Sequence, residues 1–166
     1  MAFEGDILNY SPANLDFSEV QAVIVSGEKP NPCGHALLFV PSINNRSNGL
    51  YFQVVGNPKN PSLLEVAFFG MSYAILKKVV WYPLMMDSAG YQRYLNENGK
   101  TELGRLYYTL SNPDAAINRL IELMQRKWAW GAIVHNCASF VEHIIKVGDG
   151  LVFLNKCPIK NLSVRR

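Results

Sequence analysis

Two residues of the 166-residue chain, Cys137 and His35, have side chains suited to nucleophilic catalysis. Cys137 stands at the predicted start of a helix, where free N–H groups and the positive end of the helix dipole stabilise a thiolate. His35 opens a predicted strand just after the turn at 32–34, at the rim of the sheet that this helix should cover. A histidine within hydrogen-bond reach would serve as the general base. The alternative is a buried core cysteine and a histidine that merely begins a strand.

Two helices are predicted in the last third of the chain, and the second carries Cys137. The first runs from about 113 to 127, with Asn112 as N-cap and Pro113 at the first helical position. Its core-facing residues are expected to be Ile117, Leu120, Ile121 and Met124. The second runs from about 137 to 147, with Asn136 as cap and Gly148 as stop. Its core-facing residues are expected to be Cys137, Phe140, Val141, Ile144 and Ile145.

The first half of the chain predicts an antiparallel sheet. Stretches rich in Val, Ile, Phe and Tyr, separated by Pro, Asn and Gly, lie at 20–26, 35–40, 50–55, 63–69 and 77–82. Between Met85 and Thr109 the pattern breaks up, and we expect irregular structure with short helices around Tyr91 to Leu95. The sheet packed against helices predicts an α+β fold in a single domain over residues 1–166.

Three short motifs, taken in order, resemble the circularly permuted papain-like cysteine hydrolases. They are Gly-Asp-Ile-Leu at 5–8, the His-led apolar strand at 35–40, and Asn-Cys-Ala-Ser-Phe-Val at 136–141. The order, with His before Cys, distinguishes this superfamily. The resemblance implies a permuted papain-like (NlpC-like) domain with Cys–His chemistry. Its branches include cell-wall peptidases similar to NlpC, relatives of lecithin:retinol acyltransferase, and enzymes that remove ubiquitin-like modifiers.

The resemblance also implies a third polar residue, on the strand after the His35 strand, that orients the imidazole. Family members often have a second histidine there, whereas this chain offers Gln53. The Gln53 side-chain carbonyl can accept a hydrogen bond from the imidazole and set its tautomer. Tyr51 and Glu65 are the next choices. The alternative is that Gln53 lies on the solvent face of its strand.

The remaining histidines and cysteines are weaker candidates. His135 precedes the helix cap and is expected to point away from Cys137. His143 lies about 1.7 turns beyond Cys137 and is expected to face solvent. Cys33 and Cys157 are expected to be structural residues, and a disulfide framework is an unlikely basis for the fold with three cysteines.

Composition excludes several classes of function. A net charge of +3 without clustered basic residues argues against nucleic-acid binding. The sparse cysteines and histidines lack the spacing of a metal site, so we expect no metal and no cofactor. The acidic N-terminal segment does not resemble a secretory leader, and no apolar stretch reaches the ~20 residues of a membrane anchor. We therefore expect synthesis in the cytoplasm.

The leading functional hypothesis is a cysteine peptidase or amidase that cleaves peptidoglycan stem peptides. Without a leader, such an enzyme would reach the wall through a specialised secretion system, as antibacterial effector toxins do, with an immunity or secretion protein as partner. The alternatives use the same dyad on a lipid ester or thioester, as an acyltransferase or phospholipase, or on an isopeptide bond. A non-catalytic binding domain with this fold is the remaining alternative.

Overall fold

The computed structural model describes residues 2–4, 14–27, 32–56, 80–124, 128–129, 137–152 and 154–165. It confirms the α+β class, with a sheet, three α-helices and a C-terminal 3-10 helix. The strands are β1 (Ala2–Glu4), β2 (Glu19–Val25), β3 (His35–Pro41), β4 (Gly49–Gly56), β5 (Val80–Met86), β6 (Glu102–Thr109) and β7 (Trp128–Ala129). The helices are α1 (Ser88–Glu97), α2 (Pro113–Met124), α3 (Cys137–Val147) and the 3-10 helix (Pro158–Arg165).

The strand that begins with His35 lies in the interior of the sheet. The order is β1-β5-β4-β3-β2-β6, and β7 pairs with β5. The pairing of β1 with β5 is parallel and the other pairings are antiparallel. Val25, the last residue of β2, lies opposite His35, the first residue of β3. The pairing of β3 with β4 runs from Leu38, opposite Phe52, to Pro41.

The two faces of the sheet bury different cores because successive strand residues point to opposite sides. On one face, Ala36, Leu38 and Val40 of β3 pack with buried residues of α2 and α3. On the other face, Leu37 and Phe39 pack with Tyr91 and Leu95 of α1. This second core is smaller, and a larger share of its residues is aromatic.

The two predicted late helices are confirmed, with one error in the face of α2. The side-chain oxygen of Asn112 accepts a hydrogen bond from Ala115 N–H, as an N-cap does. Ile121 is 43% exposed, contrary to the prediction, while Leu123 is buried. The buried stripe is centred on Leu120, and Ile121 lies about 100° away from it around the helix.

The face predicted for α3 is confirmed, since all five of its expected core residues are buried. The helix ends at Val147, immediately before Gly148, as predicted. The residue with left-handed backbone is the next one, Asp149, with φ of 60°. Gly148 instead allows close packing, because a Cβ there would lie 2.7 Å from Leu110 Cδ1.

The region expected to be irregular, from 85 to 109, forms α1 and β6. The carboxylate of Asp87 caps α1 by accepting from Gly90 N–H at 2.8 Å. Strand β6 pairs with β2 along its length, so partner contacts outweigh the disruptive effect of Gly104. The strand predicted at 77–82 extends to Met86, and the one predicted at 63–69 lies outside the described residues.

A disulfide joins Cys33 to Cys157, so both cysteines are structural residues, as expected. It ties the turn before β3 to the 3-10 helix. The carbonyl of Cys33 also accepts from Ile159 N–H at 3.0 Å. Gly34 follows with φ of 71°, and a Cβ there would lie 2.5 Å from the Val25 carbonyl oxygen. The backbone before His35 is therefore fixed by the disulfide at Cys33 and by the close packing around Gly34.

Candidate active site

Cys137 is the free cysteine, and it is buried at the first residue of α3. Its side chain packs in the core that includes Ala36 and Leu38 of β3. The backbone N–H groups of Ala36, Ala138 and Cys137 itself face the sulfur and favour its negative charge. The helix N-terminus and the start of β3 thus meet at this sulfur.

The resting thiol is protonated, which corrects the expectation of a thiolate stabilised by the helix. Burial raises the pKa of Cys137 to about 11, and the three backbone N–H groups offset only part of that effect. The free energy lost when a thiolate is removed from water exceeds the stabilisation that the N-terminus of one helix provides. A base that acts during attack is therefore required for this sulfur to be a nucleophile at neutral pH.

His35 is held by Gln53. Its Nε2 lies 2.6 Å from Gln53 Oε1. The Gln53 amide nitrogen faces Met86 Sδ at 3.8 Å, which directs the carbonyl oxygen towards the imidazole. Nε2 therefore donates, and Nδ1 is the proton-accepting nitrogen of the neutral ring. Burial lowers the pKa of His35 to about 4, against a smaller opposing effect of Gln53, so the ring is uncharged at neutral pH.

Gln53 is fully buried, so a position on the solvent face of β4 is wrong. It lies on the α1 side of the sheet, like Tyr51 and Met86. The hydrogen bond to His35 is present as the sequence suggested, and a catalytic role for it remains a prediction.

His35 and Cys137 approach the same end of β3 from different sides. His35 shares the α1 side with Gln53, whereas Cys137 packs on the α3 side. The peptide joining His35 to Ala36 separates them, and its N–H faces the sulfur. This peptide is paired with β2 but precedes the stretch of β3 that pairs with β4, which begins at Leu38. An imidazole and a thiol therefore flank the first peptide of β3 from opposite faces of the sheet.

The other predicted candidates lie away from this end or outside the described residues. His143 is partly buried and accepts from Arg119 Nε at 2.9 Å, so it is less exposed to solvent than the sequence predicted. This hydrogen bond joins the imidazole of His143 on α3 to Arg119 on α2. The other calls on masked positions lie outside the described residues: Glu65, His135, the Asn136 cap and the Gly-Asp-Ile-Leu motif at 5–8.

Tyr51, the next choice after Gln53, belongs to a different set of contacts, which we call the Arg105 cluster. It comprises Arg105, Glu102, Tyr51 and Tyr91. Arg105 Nη2 donates to Glu102 Oε1 and to Tyr51 Oη, both at 2.8 Å. Tyr91 Oη donates to the same Glu102 oxygen at 2.7 Å, and the rings of Tyr51 and Tyr91 stack with centroids 3.9 Å apart. Tyr51 therefore hydrogen-bonds and stacks within this cluster.

Lys100 is the residue that sequence reasoning missed near the site. It follows Gly99, whose φ of 59° ends the turn after α1. The positive charge of Lys100 lowers the pKa of both His35 and Cys137. The sequence carries no signal for this placement, because it depends on how β6 pairs with β2.

Comparisons with known proteins give no relative for this chain: no family model, no curated protein and no solved structure matches it. The likeness to permuted papain-like hydrolases therefore rests on the short motifs alone. Within the part of the chain that the structure describes, the helices are too short or too polar to cross a bilayer.

Proposed function

We propose that the chain is a cysteine hydrolase of the permuted papain-like type that cleaves amide bonds, with peptidoglycan stem peptides as its substrate. One observation carries the proposal. A free thiol at a helix N-terminus lies against the peptide that follows His35, whose imidazole is fixed by Gln53 at 2.6 Å. A nucleophile, a base and a group that orients the base are the elements of such a site.

Acylation begins from two neutral groups. With pKa values of about 11 for Cys137 and about 4 for His35, the thiol is protonated and the imidazole is free base at neutral pH. As the sulfur bonds to the amide carbon, its proton passes to Nδ1 of His35. Gln53 remains hydrogen-bonded to Nε2 and stabilises the ring orientation through the transfer.

The tetrahedral intermediate carries its charge on the former carbonyl oxygen. Backbone N–H groups at the start of α3 and at Ala36 are the donors close to the sulfur, and they would stabilise this oxyanion. Collapse breaks the C–N bond, and the leaving amine takes the proton from His35. Water then attacks the thioester with His35 as base, which releases the carboxylic acid and restores the thiol.

The disulfide between Cys33 and Cys157 supports action outside the cytoplasm. Disulfides persist in oxidising compartments and are rare where glutathione and thioredoxin keep thiols reduced. Peptidoglycan lies in such a compartment. An exported effector that acts on the wall is consistent with a disulfide beside the site and a buried, protonated nucleophile.

The test is mass spectrometry of purified muropeptides incubated with the oxidised protein. Wild-type protein is expected to release products of amide cleavage, whereas Cys137→Ala and His35→Ala abolish them. Gln53→Ala is expected to reduce turnover less severely. The double variant Cys137→Ala/His35→Ala should be hardly worse than either single one, because the two residues act in one step. His143→Ala is the matched control and should retain wild-type turnover.

Two results would contradict the proposal. Undiminished cleavage by Cys137→Ala, with a wild-type circular dichroism spectrum, would remove Cys137 as the nucleophile. Intact muropeptides combined with Cys137-dependent cleavage of a lipid ester or an isopeptide would replace the wall substrate with one of those classes.

A further inference from the structure

Lys100 is fixed at the end of the sheet where β3 begins. Its Nζ donates to the Ser26 carbonyl oxygen at 3.4 Å and lies 5.8 Å from the ring centroid of Tyr94. Two further bonds hold the neighbouring backbone: Ser26 N–H donates to the Thr101 carbonyl, and Thr101 N–H donates to Ser26 Oγ, each at 2.9 Å. The ammonium is therefore positioned by the fold.

This position is next to the candidate active site. Ser26 follows Val25, which lies opposite His35, and Ile24 lies opposite Ala36, whose N–H faces the sulfur of Cys137. The effect of the Lys100 charge on both His35 and Cys137 agrees with this placement. One ammonium thus faces the end of the sheet at which both groups lie.

Among the described residues, no carboxylate pairs with Lys100. The ion pairs there use Arg46, Arg105, Arg119, Lys146 and Lys156 as cations. A carbonyl and an aromatic ring hold Lys100 without neutralising it, and an ammonium has three N–H donors. The charge remains available to an anionic ligand.

We propose that Lys100 is a specificity residue that binds a carboxylate of the substrate, beside the amide bond that Cys137 attacks. The proposal rests on the proposed hydrolase function and narrows its substrate class to amides with a free carboxylate near the cleaved bond. A point charge beside the nucleophile raises the local concentration of anionic substrates and gives no such advantage to neutral ones.

Alkylation of Cys137 tests this charge effect without requiring hydrolysis. Iodoacetate and iodoacetamide react alike: the sulfur bonds to the methylene carbon, iodide leaves, and the thiol proton goes to the buffer. They differ in one negative charge. The ratio of the iodoacetate rate to the iodoacetamide rate is expected to fall about threefold or more in Lys100→Gln, the scale of one charge interaction near a protein surface. Lys100→Arg should preserve the ratio.

The control variant is Lys146→Gln, which removes the same charge from the solvent side of α3, where Lys146 pairs with Glu142. It should leave the ratio unchanged. High salt should shrink the difference between wild type and Lys100→Gln, because the Debye length falls from ~10 Å at 0.1 M to ~3 Å at 1 M. Equal ratios in wild type and Lys100→Gln would overturn the proposal. A Cys137 that reacts with neither reagent would overturn it together with the hydrolase function.

A second measurement separates the two proposals. Matched stem peptides with a free carboxylate or a carboxamide beside the cleaved bond are compared by kcat/KM, and the preference for the carboxylate should shrink in Lys100→Gln. Cleavage without any such preference would remove the role of Lys100 and leave the hydrolase standing. A Lys100-dependent alkylation ratio without cleavage of any stem peptide would support the anion site and contradict the peptidoglycan substrate.

Discussion

The Arg105 cluster and the Cys137–His35 end of β3 respond to burial in opposite ways. The cluster is only partly buried, since the side chains of Arg105 and Glu102 keep 21% and 33% of their surface exposed. Burial tends to raise the pKa of Glu102, yet hydrogen bonds from Arg105 and Tyr91 bring it below its ordinary value. Burial likewise tends to lower the pKa of Arg105, yet Glu102 and Tyr51 raise it. Both groups therefore stay charged.

At the end of β3, burial dominates. It lowers the pKa of His35 to about 4 and raises that of Cys137 to about 11, because a neutral amide and backbone N–H groups offset less than a full counter-charge does. Ionised pairs hold a structure together, while neutral groups remain free to exchange a proton. The comparison fits a structural role for the first cluster and is consistent with the reactive role that we propose for the second.

Breaking the charged cluster should have the largest effect on stability. Arg105→Leu leaves the Tyr51 hydroxyl without this donor and Glu102 with Tyr91 as its remaining donor. Because the pair is partly exposed, we expect the free energy of unfolding to fall by about 1–2 kcal/mol. Urea denaturation followed by circular dichroism measures it.

Arg46 supplies the control, because it also bridges two carboxylates, Asp16 and Glu19, but at the exposed surface. Arg46→Leu should cost much less, since exposed ion pairs contribute little. Equal losses in the two variants would show that burial does not distinguish the clusters.

Removing the imidazole should change how stability depends on pH. The unfolded chain binds a proton on His35 below about pH 6.5, whereas the folded protein does so only below about pH 4. Stability should therefore fall as pH drops from about 6.5 towards 4, by up to about 1.4 kcal/mol per pH unit from this residue. Chemical denaturation between pH 5 and 6.5 should give a shallower slope for His35→Asn.

His143→Asn should keep the wild-type slope, since His143 lies at the α2–α3 contact with Arg119. If His35→Asn kept the wild-type dependence of stability on pH, other titrating groups would account for that dependence.

A negative charge placed beside His35 would make the end of β3 resemble the Arg105 cluster. Of the changes considered, it has the smallest expected effect. Gln53→Glu should raise the pKa of His35 by about one unit or more, because a carboxylate stabilises the imidazolium more strongly than a neutral amide does. NMR titration of the imidazole measures the change. Gln21→Glu is the control, as Gln21 contacts Arg105 instead. An unmoved His35 pKa in Gln53→Glu would contradict the role of the neutral amide.

Local signals in the sequence were enough for much of the fold. The Asn112-Pro113 start and the apolar face of α3 predicted two helices correctly, since capping and periodicity depend on neighbouring residues. Strand β6 was missed because its formation depends on pairing with β2, some 80 positions earlier in the chain. The link between Cys33 and Cys157 was missed for the same reason.

The site was predictable to the extent that residue type implies chemistry. His35 at the start of a strand, Cys137 at the start of a helix and the amide of Gln53 all follow from types and positions. The thiol pKa was not predictable, because it depends on how completely α3 and β3 exclude water from the sulfur. The position of Lys100 depends on the contact between Ser26 and Thr101, which no local sequence pattern predicts.

The bridge between Cys33 and Cys157 makes a covalent ring of most of the chain, with an N-terminal tail of 32 residues and a C-terminal tail of nine. A protease that cuts once anywhere between these residues opens the ring without releasing a fragment. The strand of His35 and the helix of Cys137 would then stay in one molecule. A single nick should be visible by electrophoresis only after reduction, because the disulfide keeps the two pieces joined.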